Sequence, residues 1–210
     1  MRIRWRGHAS FIIETENKTI VTDPFSADYG YPVTAVTADI VTISHDQHRD
    51  HNAVGTVLGQ PQVILGIGKF ELEGISITGI ASYHDHSAGR ERGANTIFKI
   101  SAEGLGLVHL GDLGQKLSDQ QVMEIGNVDI LMVPVGGRYT IDAEEAVGIV
   151  SALQPKLVIP MHYATPHLSF TLAPVEEFIS HYDMVIKKPY LEVNSGNLGL
   201  NTRIMILDYL

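Results

Sequence analysis

Polar and apolar positions alternate from the first residues of the chain. Ile3 and Trp5 are separated by Arg2, Arg4 and Arg6, and this period of two predicts a half-buried strand. Residues 10–15 and 19–22 follow as two short β-rich runs, and Glu16-Asn17-Lys18 between them is polar enough for a hairpin turn. Residues 39–44 (Asp-Ile-Val-Thr-Ile-Ser) read as another strand, with a His-rich loop directly after it. Further β-rich runs lie at 62–65, 75–80, 95–100 and 106–110. Helix start signals then appear. Ser118 with Gln121 makes a capping-box pattern, and Asp142 with Glu145 makes an acidic variant. The second of these opens a helix that runs to Leu153 and stops before Pro155. Strands at 130–133 and 157–159 flank it. Pro174 reads as the first residue of another helix ending near His181, and 203–207 reads as a closing strand.

Antiparallel β segments therefore come first and a mixed β/α half follows. Two sheets packed face to face with helices outside fit this order, although composition alone does not choose among layered α/β folds. A (β/α)₈ barrel is disfavoured by a length of 210 residues and by the early hairpin-like strands. That length fits a single domain over residues 1–210. Hydrophobic residues at 44% and charged residues at 19% argue against disorder.

Charge and cysteine content narrow the function. The net charge of -9 leaves no excess of Lys and Arg for non-specific nucleic-acid binding. An anionic small-molecule substrate is still permitted, because bound divalent ions reverse the local field. The absence of Cys excludes disulfides, thiolate ligands and a Cys nucleophile. The opening Met1-Arg2-Ile3-Arg4-Trp5-Arg6 lacks the apolar core of a signal peptide, and no apolar run approaches a membrane span. A cytoplasmic location without membrane contact is the expectation.

The ten histidines are unevenly placed. His45, His48 and His51 fall within seven residues after the strand ending near Ser44. His84-Asp85-His86, His109-Leu110-Gly111-Asp112 and Pro160-Met161-His162-Tyr163 each sit at a predicted strand end. Loops at strand ends are where open sheets present functional groups. Imidazole and carboxylate together suit zinc, and also manganese or iron. Several neutral imidazoles can share one ion, and an Asp can bridge two ions that hold a hydroxide as nucleophile. By contrast, isolated histidines such as His8, His167 and His181 read as surface or hydrogen-bonded core residues.

At this point the pattern resembles a family. Thr22-Asp23-Pro24-Phe25, Ser44-His45 through Asp50-His51, His84, Gly111-Asp112 and His162 look like the ordered motifs of the metallo-β-lactamase superfamily. The spacing resembles its Zn-dependent hydrolase branch near the ascorbate-phosphate lactonases. The runs Trp5 to Phe11, Gly89 to Asn95, His109 to Gly114 and Pro134 to Thr140 resemble the signatures of that branch. The resemblance implies an αβ/βα four-layer sandwich with the site at one edge. It implies two divalent ions, zinc foremost and manganese or iron as alternatives. His48 and His84, with His45, would serve the first ion, and Asp50, His51 and His162 the second. Asp112 would bridge them, so Asp50 and Asp112 carry the catalytic expectation. Asp23 would hydrogen-bond a ligand His, and His109 would lie behind the ligands.

The family pattern is His-x-His-x-Asp-His, whereas His45-Asp46-Gln47-His48-Arg49-Asp50-His51 has one residue too many. Three readings stay open: a bulge that still brings His45 to the metal, replacement by Asp46, or a weakened first site. The bulge is favoured, because a loop absorbs one residue readily. His86 is a spare ligand. The implied function is a hydrolase that uses a metal-bound hydroxide on a small phosphorylated, phosphodiester or lactone-type metabolite. Arg90, Arg92 and Arg138 motivate the anion, because guanidinium pairs bidentately with phosphate oxygens. Tyr139 or Tyr163 can donate to a leaving group or oxyanion. The alternatives are an iron-dependent oxidoreductase of the same fold and a non-catalytic binding domain with a degraded metal site.

Overall fold

The computed structural model describes residues 1–47 and 51–209. The expectations for His48 and Asp50 therefore lie outside the described residues. Among the described residues the strands are β1 (Arg2–Gly7), β2 (Ser10–Glu14), β3 (Thr19–Thr22), β4 (Val36–Thr37), β5 (Ile40–Ile43), β6 (Val57–Leu58), β7 (Gln62–Leu65) and β8 (Gly68–Leu72). They continue with β9 (Ile75–Tyr83), β10 (Ala94–Ala102), β11 (Leu105–His109), β12 (Ile130–Pro134), β13 (Leu157–Met161), β14 (Val185–Lys188), β15 (Leu191–Glu192) and β16 (Arg203–Leu207). The helices are α1 (Asp119–Ile125), α2 (Ala143–Leu153) and α3 (Val175–Ile179). No helix among them is long and apolar enough to cross a membrane.

Two mixed sheets make the frame. The first has six strands in the order β15-β1-β2-β3-β5-β7, and the second has eight in the order β14-β16-β13-β12-β11-β10-β9-β8. In the first, the pairs through β1, β2 and β3 are antiparallel and the β3-β5-β7 pairs are parallel. The second repeats this arrangement: β8 to β11 are antiparallel, and β11, β12, β13, β16 and β14 are parallel. This is an α/β sandwich of the kind that the resemblance implies.

Strand alternation decides which side chain goes where. Ile13, Ile20 and Ile40 point into the core between the sheets with Ile77, Phe98 and Leu107. Their neighbours Ile12, Val21, Val41 and Ile43 point the other way and pack under Val57, with Val36 and Val54 beside them. Each buried aliphatic side chain contributes roughly 1.5–3 kcal/mol. The outer cluster thus pins the segment that follows the His-rich loop. Strands β12 and β13 are buried at every position, as expected for central parallel strands.

Both expected capping boxes are present. The Ser118 hydroxyl accepts from Gln121 N–H, and the Asp142 carboxylate accepts from Glu145 N–H. Gln154 ends α2 in the left-handed region at φ 46°. Two expectations are corrected. Pro174 caps α3 from outside rather than opening it, and α3 ends at Ile179, short of His181.

Hydrogen bonds join the layers at one edge. His162 N–H donates to the His8 carbonyl at 3.1 Å, and Thr96 N–H donates to the Ser44 carbonyl at 2.8 Å. His109 Nε2–H donates to the Ala9 carbonyl at 2.8 Å.

Candidate metal centre

That same edge gathers the C-terminal ends of the parallel strands. Asp23 follows β3, Ser44 and His45 follow β5, Asp112 follows β11 by three residues, and His162 follows β13. His84 follows β9, and His8 sits in the turn between β1 and β2. His8, Asp23 and His162 all have positive φ, at 52°, 39° and 52°. Non-glycine residues adopt this region at a cost, which tends to be borne at functional sites. Gly7 has to be glycine, because a Cβ there would strike the Tyr31 ring at φ +109°. Gly111 has the same constraint: a Cβ would collide with Asn95 Oδ1 and Ser44 Cβ. The bare backbone at Gly111 lets Asp112 turn inward.

Asp112 is the centre of the arrangement. Its Oδ1 lies 3.2 Å from His51 Nε2, and its Oδ2 lies 3.4 Å from both His84 Nε2 and His162 Nε2. All four residues are buried. Charge-assisted hydrogen bonds run shorter, at about 2.7–2.9 Å. Two donors on one tetrahedral ion, each at about 2.0–2.2 Å, stand roughly 3.3–3.5 Å apart. The two 3.4 Å spacings match the second case, and the 3.2 Å spacing lies closer to it than to the first. Asp112 Oδ1, His84 Nδ1 and His162 Nδ1 are buried without a hydrogen bond among the described residues. Two groups of donors, His45 with His84 and Asp112, and His8 with His51 and His162, each lie within 4.8 Å of one another. The donor set therefore fits divalent ions.

Hydrogen bonds set the proton positions on two of the rings. Asp23 Oδ2 accepts from His51 Nδ1–H at 2.8 Å, leaving the lone pair of Nε2 facing Asp112. The Ser44 hydroxyl donates to Asp23 Oδ2 at 2.7 Å, and Ser44 N–H donates to Oδ1 at 2.7 Å. With its proton so committed, Ser44 Oγ accepts from His45 Nδ1–H at 3.1 Å, which leaves His45 Nε2 as a lone-pair donor. His109 lies behind this set. Gly111 N–H donates to its Nδ1 at 3.2 Å, and Nδ1 is 3.9 Å from Asp23 Oδ2. Asn95 braces Asp112: its Oδ1 accepts Asp112 N–H at 3.0 Å, and its Nδ2 donates to Ser82 Oγ and the Leu110 carbonyl.

Electrostatics favour metal-ready protonation states. Burial lowers the His45 pKa to about 4, reinforced by His51 and opposed by Asp112 and Asp23. Burial also lowers His84 and His109. Burial pushes the Asp112 carboxyl up, yet His162 and His51 outweigh it and hold the group well below the carboxylate range. Asp23 is likewise held low, burial being overcome by His51, His109 and Ser44.

The structure brings His45, His51, His84, Asp112 and His162 together, with Asp23 and His109 behind them. It resolves the loop's extra residue in part: His45 is buried, with its ring centroid 4.3 Å from that of His51, whereas Asp46 is exposed. His86 is not at the centre. It is 62% exposed and faces Glu145 at 3.7 Å. Tyr163 is also turned away; it packs on Trp5 at 5.1 Å and lines a separate cavity of about 380 Å³ with Tyr209. Arg92 and Arg138 both lie over the Tyr139 ring, at 5.9 and 5.2 Å from its centroid. The charge of Arg92 reaches His84, helping to lower it. Arg90 is exposed and donates to the Ser87 carbonyl in its own loop.

Four residues at this edge have parts that the sequence reading did not assign. His8 is buried against His162, ring centroids 4.3 Å apart, rather than being an isolated histidine. Its only signal was its place inside the Trp5–Phe11 run. Asn95 lay at the end of the Gly89–Asn95 run without a role of its own, and Phe170, 5.7 Å from Tyr139 and 5.8 Å from His8, carried no signal. Asp85 turns into its loop, accepting backbone N–H groups of Ser87, Gly89, Glu91 and Arg92. Burial raises its pKa, and these donors, Arg92 N–H foremost, bring it down to about 2.

Comparison with known proteins gives a consistent picture. Residues 2–162 match the family model described as the β-lactamase superfamily domain, a span from β1 to His162. A metal-dependent hydrolase of Methanopyrus kandleri is 26% identical, over 99% of this chain and 97% of its own. One from Carboxydothermus hydrogenoformans is 32% identical, over 79% and 85%. The crystal structure of a protein from Thermotoga maritima, assigned as a Zn-dependent hydrolase of the metallo-β-lactamase superfamily, superposes with a TM-score of 0.82. It is 40% identical, covering 99% of each chain.

Proposed function

This chain belongs to the metallo-β-lactamase superfamily and is a metal-dependent hydrolase, and from that premise we propose that it cleaves a small anionic metabolite at a two-ion centre around Asp112. The substrate class is a phosphorylated, phosphodiester or lactone-type compound. The observation that carries the reading is the buried Asp112 carboxylate with the Nε2 atoms of His51, His84 and His162 at 3.2–3.4 Å. His45, His84 and Asp112 would hold one ion, with His48 as the further ligand that the resemblance implies. His51 and His162 would hold the other, with Asp50 and a shared Asp112. Zinc suits this mixture of imidazole and carboxylate. Bound divalent ions supply Lewis acidity there, lowering the pKa of water toward about 7 and polarising a substrate oxygen.

The chain's own groups do the remaining work. Asp23 holds His51 in one tautomer, and Ser44 does the same for His45. Arg92 and Arg138, set against Tyr139, place positive charge where an anionic group of the substrate would enter. Tyr139 stands close enough to both guanidiniums to orient that group. Arg90, exposed in the loop ordered by Asp85, extends the positive surface.

The test is a screen of purified protein against phosphomonoesters, phosphodiesters and lactones, each with Zn²⁺, Mn²⁺ or Fe²⁺. Asp112→Ala is the control. We expect that variant to lose at least about 1,000-fold in kcat/KM, several kcal/mol of lost charge stabilisation. Activity undiminished in Asp112→Ala would remove the mechanism.

A further inference from the structure

The turn between β1 and β2 delivers an imidazole that lies in the Trp5–Phe11 run but outside the ligand set that the resemblance implies. His8 is fully buried, and its ring centroid lies 4.3 Å from that of His162 and 5.0 Å from that of His51. A donor nitrogen of each of the three rings lies within 4.8 Å of the others. We propose that His8 is a ligand of the second ion, completing a three-imidazole face with His51 and His162. The inference rests on the metal-hydrolase reading above.

The backbone around His8 is fixed in a way that serves the side chain. The His8 carbonyl accepts from Trp5 Nε1–H at 3.0 Å and from His162 N–H at 3.1 Å. These two bonds tie the His8 main chain to the residue whose ring it meets. Gly7 makes the turn possible, and φ 52° at both His8 and His162 turns the two rings toward one another. Tyr29 lies parallel to the His8 ring at 6.4 Å, and Phe170 meets it edge-on at 5.8 Å, so aromatic walls limit its rotation.

His8 would add a third imidazole to an ion that the proposed function also gives Asp50 and a shared Asp112, and imidazole donors favour zinc or iron over manganese.

Zinc binding by the full chain tests this directly. Wild-type protein is stripped with chelator, titrated with Zn²⁺ in a calorimeter, and its bound zinc measured after gel filtration. The same is done for His8→Ala and His8→Gln, with thermal unfolding to verify folding. Wild type is expected to hold two ions. Both variants should keep one and bind the other at least about 100-fold more weakly, since loss of even an outer partner of a ligand costs about 10–100-fold. Two ions retained in either folded variant, with both affinities within about twofold of wild type, would overturn the assignment and leave the hydrolase reading intact. No zinc bound by wild type would instead sink both. Should neither variant fold, imidazole ¹⁵N resonances of wild type during the titration decide: the His8 ring must shift with the second equivalent of Zn²⁺, and an unmoved ring overturns the proposal.

Discussion

His45 and His51 reach the centre through hydrogen bonds that decide which ring nitrogen carries the proton, whereas His84 and His162 reach it through backbone placement alone. On the first side, one buried carboxylate, Asp23, holds His51 directly and His45 through Ser44. On the second side, Nδ1 of His84 and of His162 has no hydrogen-bond partner among the described residues. Their positions come from β9 and β13, from the left-handed φ of His162, and from the Asn95 brace under Asp112. The difference teaches that one half of the centre is orientated before any ion arrives, while the other half has its rings in place with the tautomer left to be chosen.

The largest expected effect tests what the two sides share. His45 is pulled down to about 4 by burial, and His84 and His109 are lowered for the same reason. A base lowered in the folded state takes up its proton more readily once unfolded, so its stabilisation is complete above about 6.5 and is lost as pH falls toward 4. For His45 alone the loss is of order 3 kcal/mol. Chelated protein should show a steep fall in Tm between pH 6.5 and 4. Asp112 and Asp23, held below the usual carboxylate range, keep their contribution through that window and lose it only at more acid pH. A flat Tm across the window would mean that these imidazoles are not desolvated.

Next in size is Asp23→Asn. It removes the negative charge that holds His51 Nδ1–H and should weaken Zn²⁺ binding by up to about 100-fold. Calorimetry against wild type reads the effect. An unchanged affinity would erase the contrast between the two sides. The smallest effect is Ser44→Ala, which removes the relay to His45 and leaves the Asp23–His51 contact in place. About a tenfold loss of Zn²⁺ affinity is expected, at the lower end for such outer contacts. A loss equal to that of Asp23→Asn would show that Ser44, rather than Asp23, organises this side.

Much of the frame was legible because period-two alternation reports burial on a sheet face directly. The runs at 19–22, 62–65 and 203–207 are strands with the expected limits, and both capping boxes start the helices they were read to start. Strands β9 and β10 extend past their apolar runs because pairing of Ser82 with Asn95 and Tyr83 with Ala94 carries the ladder through polar residues. Strands β4, β6 and β15 were missed because two residues are too few to show a pattern, and β8 and β14 because their residues are exposed or half-buried and carry Lys or Glu among the apolar ones. At the centre, the histidines after strand ends stood out by position. His8 did not, because what makes it notable is a neighbour 154 residues away in sequence. Asn95, though part of the Gly89–Asn95 run, had no assignable role for a similar reason: its importance lies in where its amide points, toward Asp112.

Three of the bonds that join the sheets, His162 to His8, Thr96 to Ser44 and His109 to Ala9, fall together at the edge that holds the imidazoles. Apolar contact between layers has no direction and tolerates a small glide. These bonds act as a clasp that forbids it. Ligands donated by opposite layers, such as His51 and His84, therefore keep their spacing against shear, and any force that slid one layer over the other would have to open the clasp and scatter the donors in the same movement.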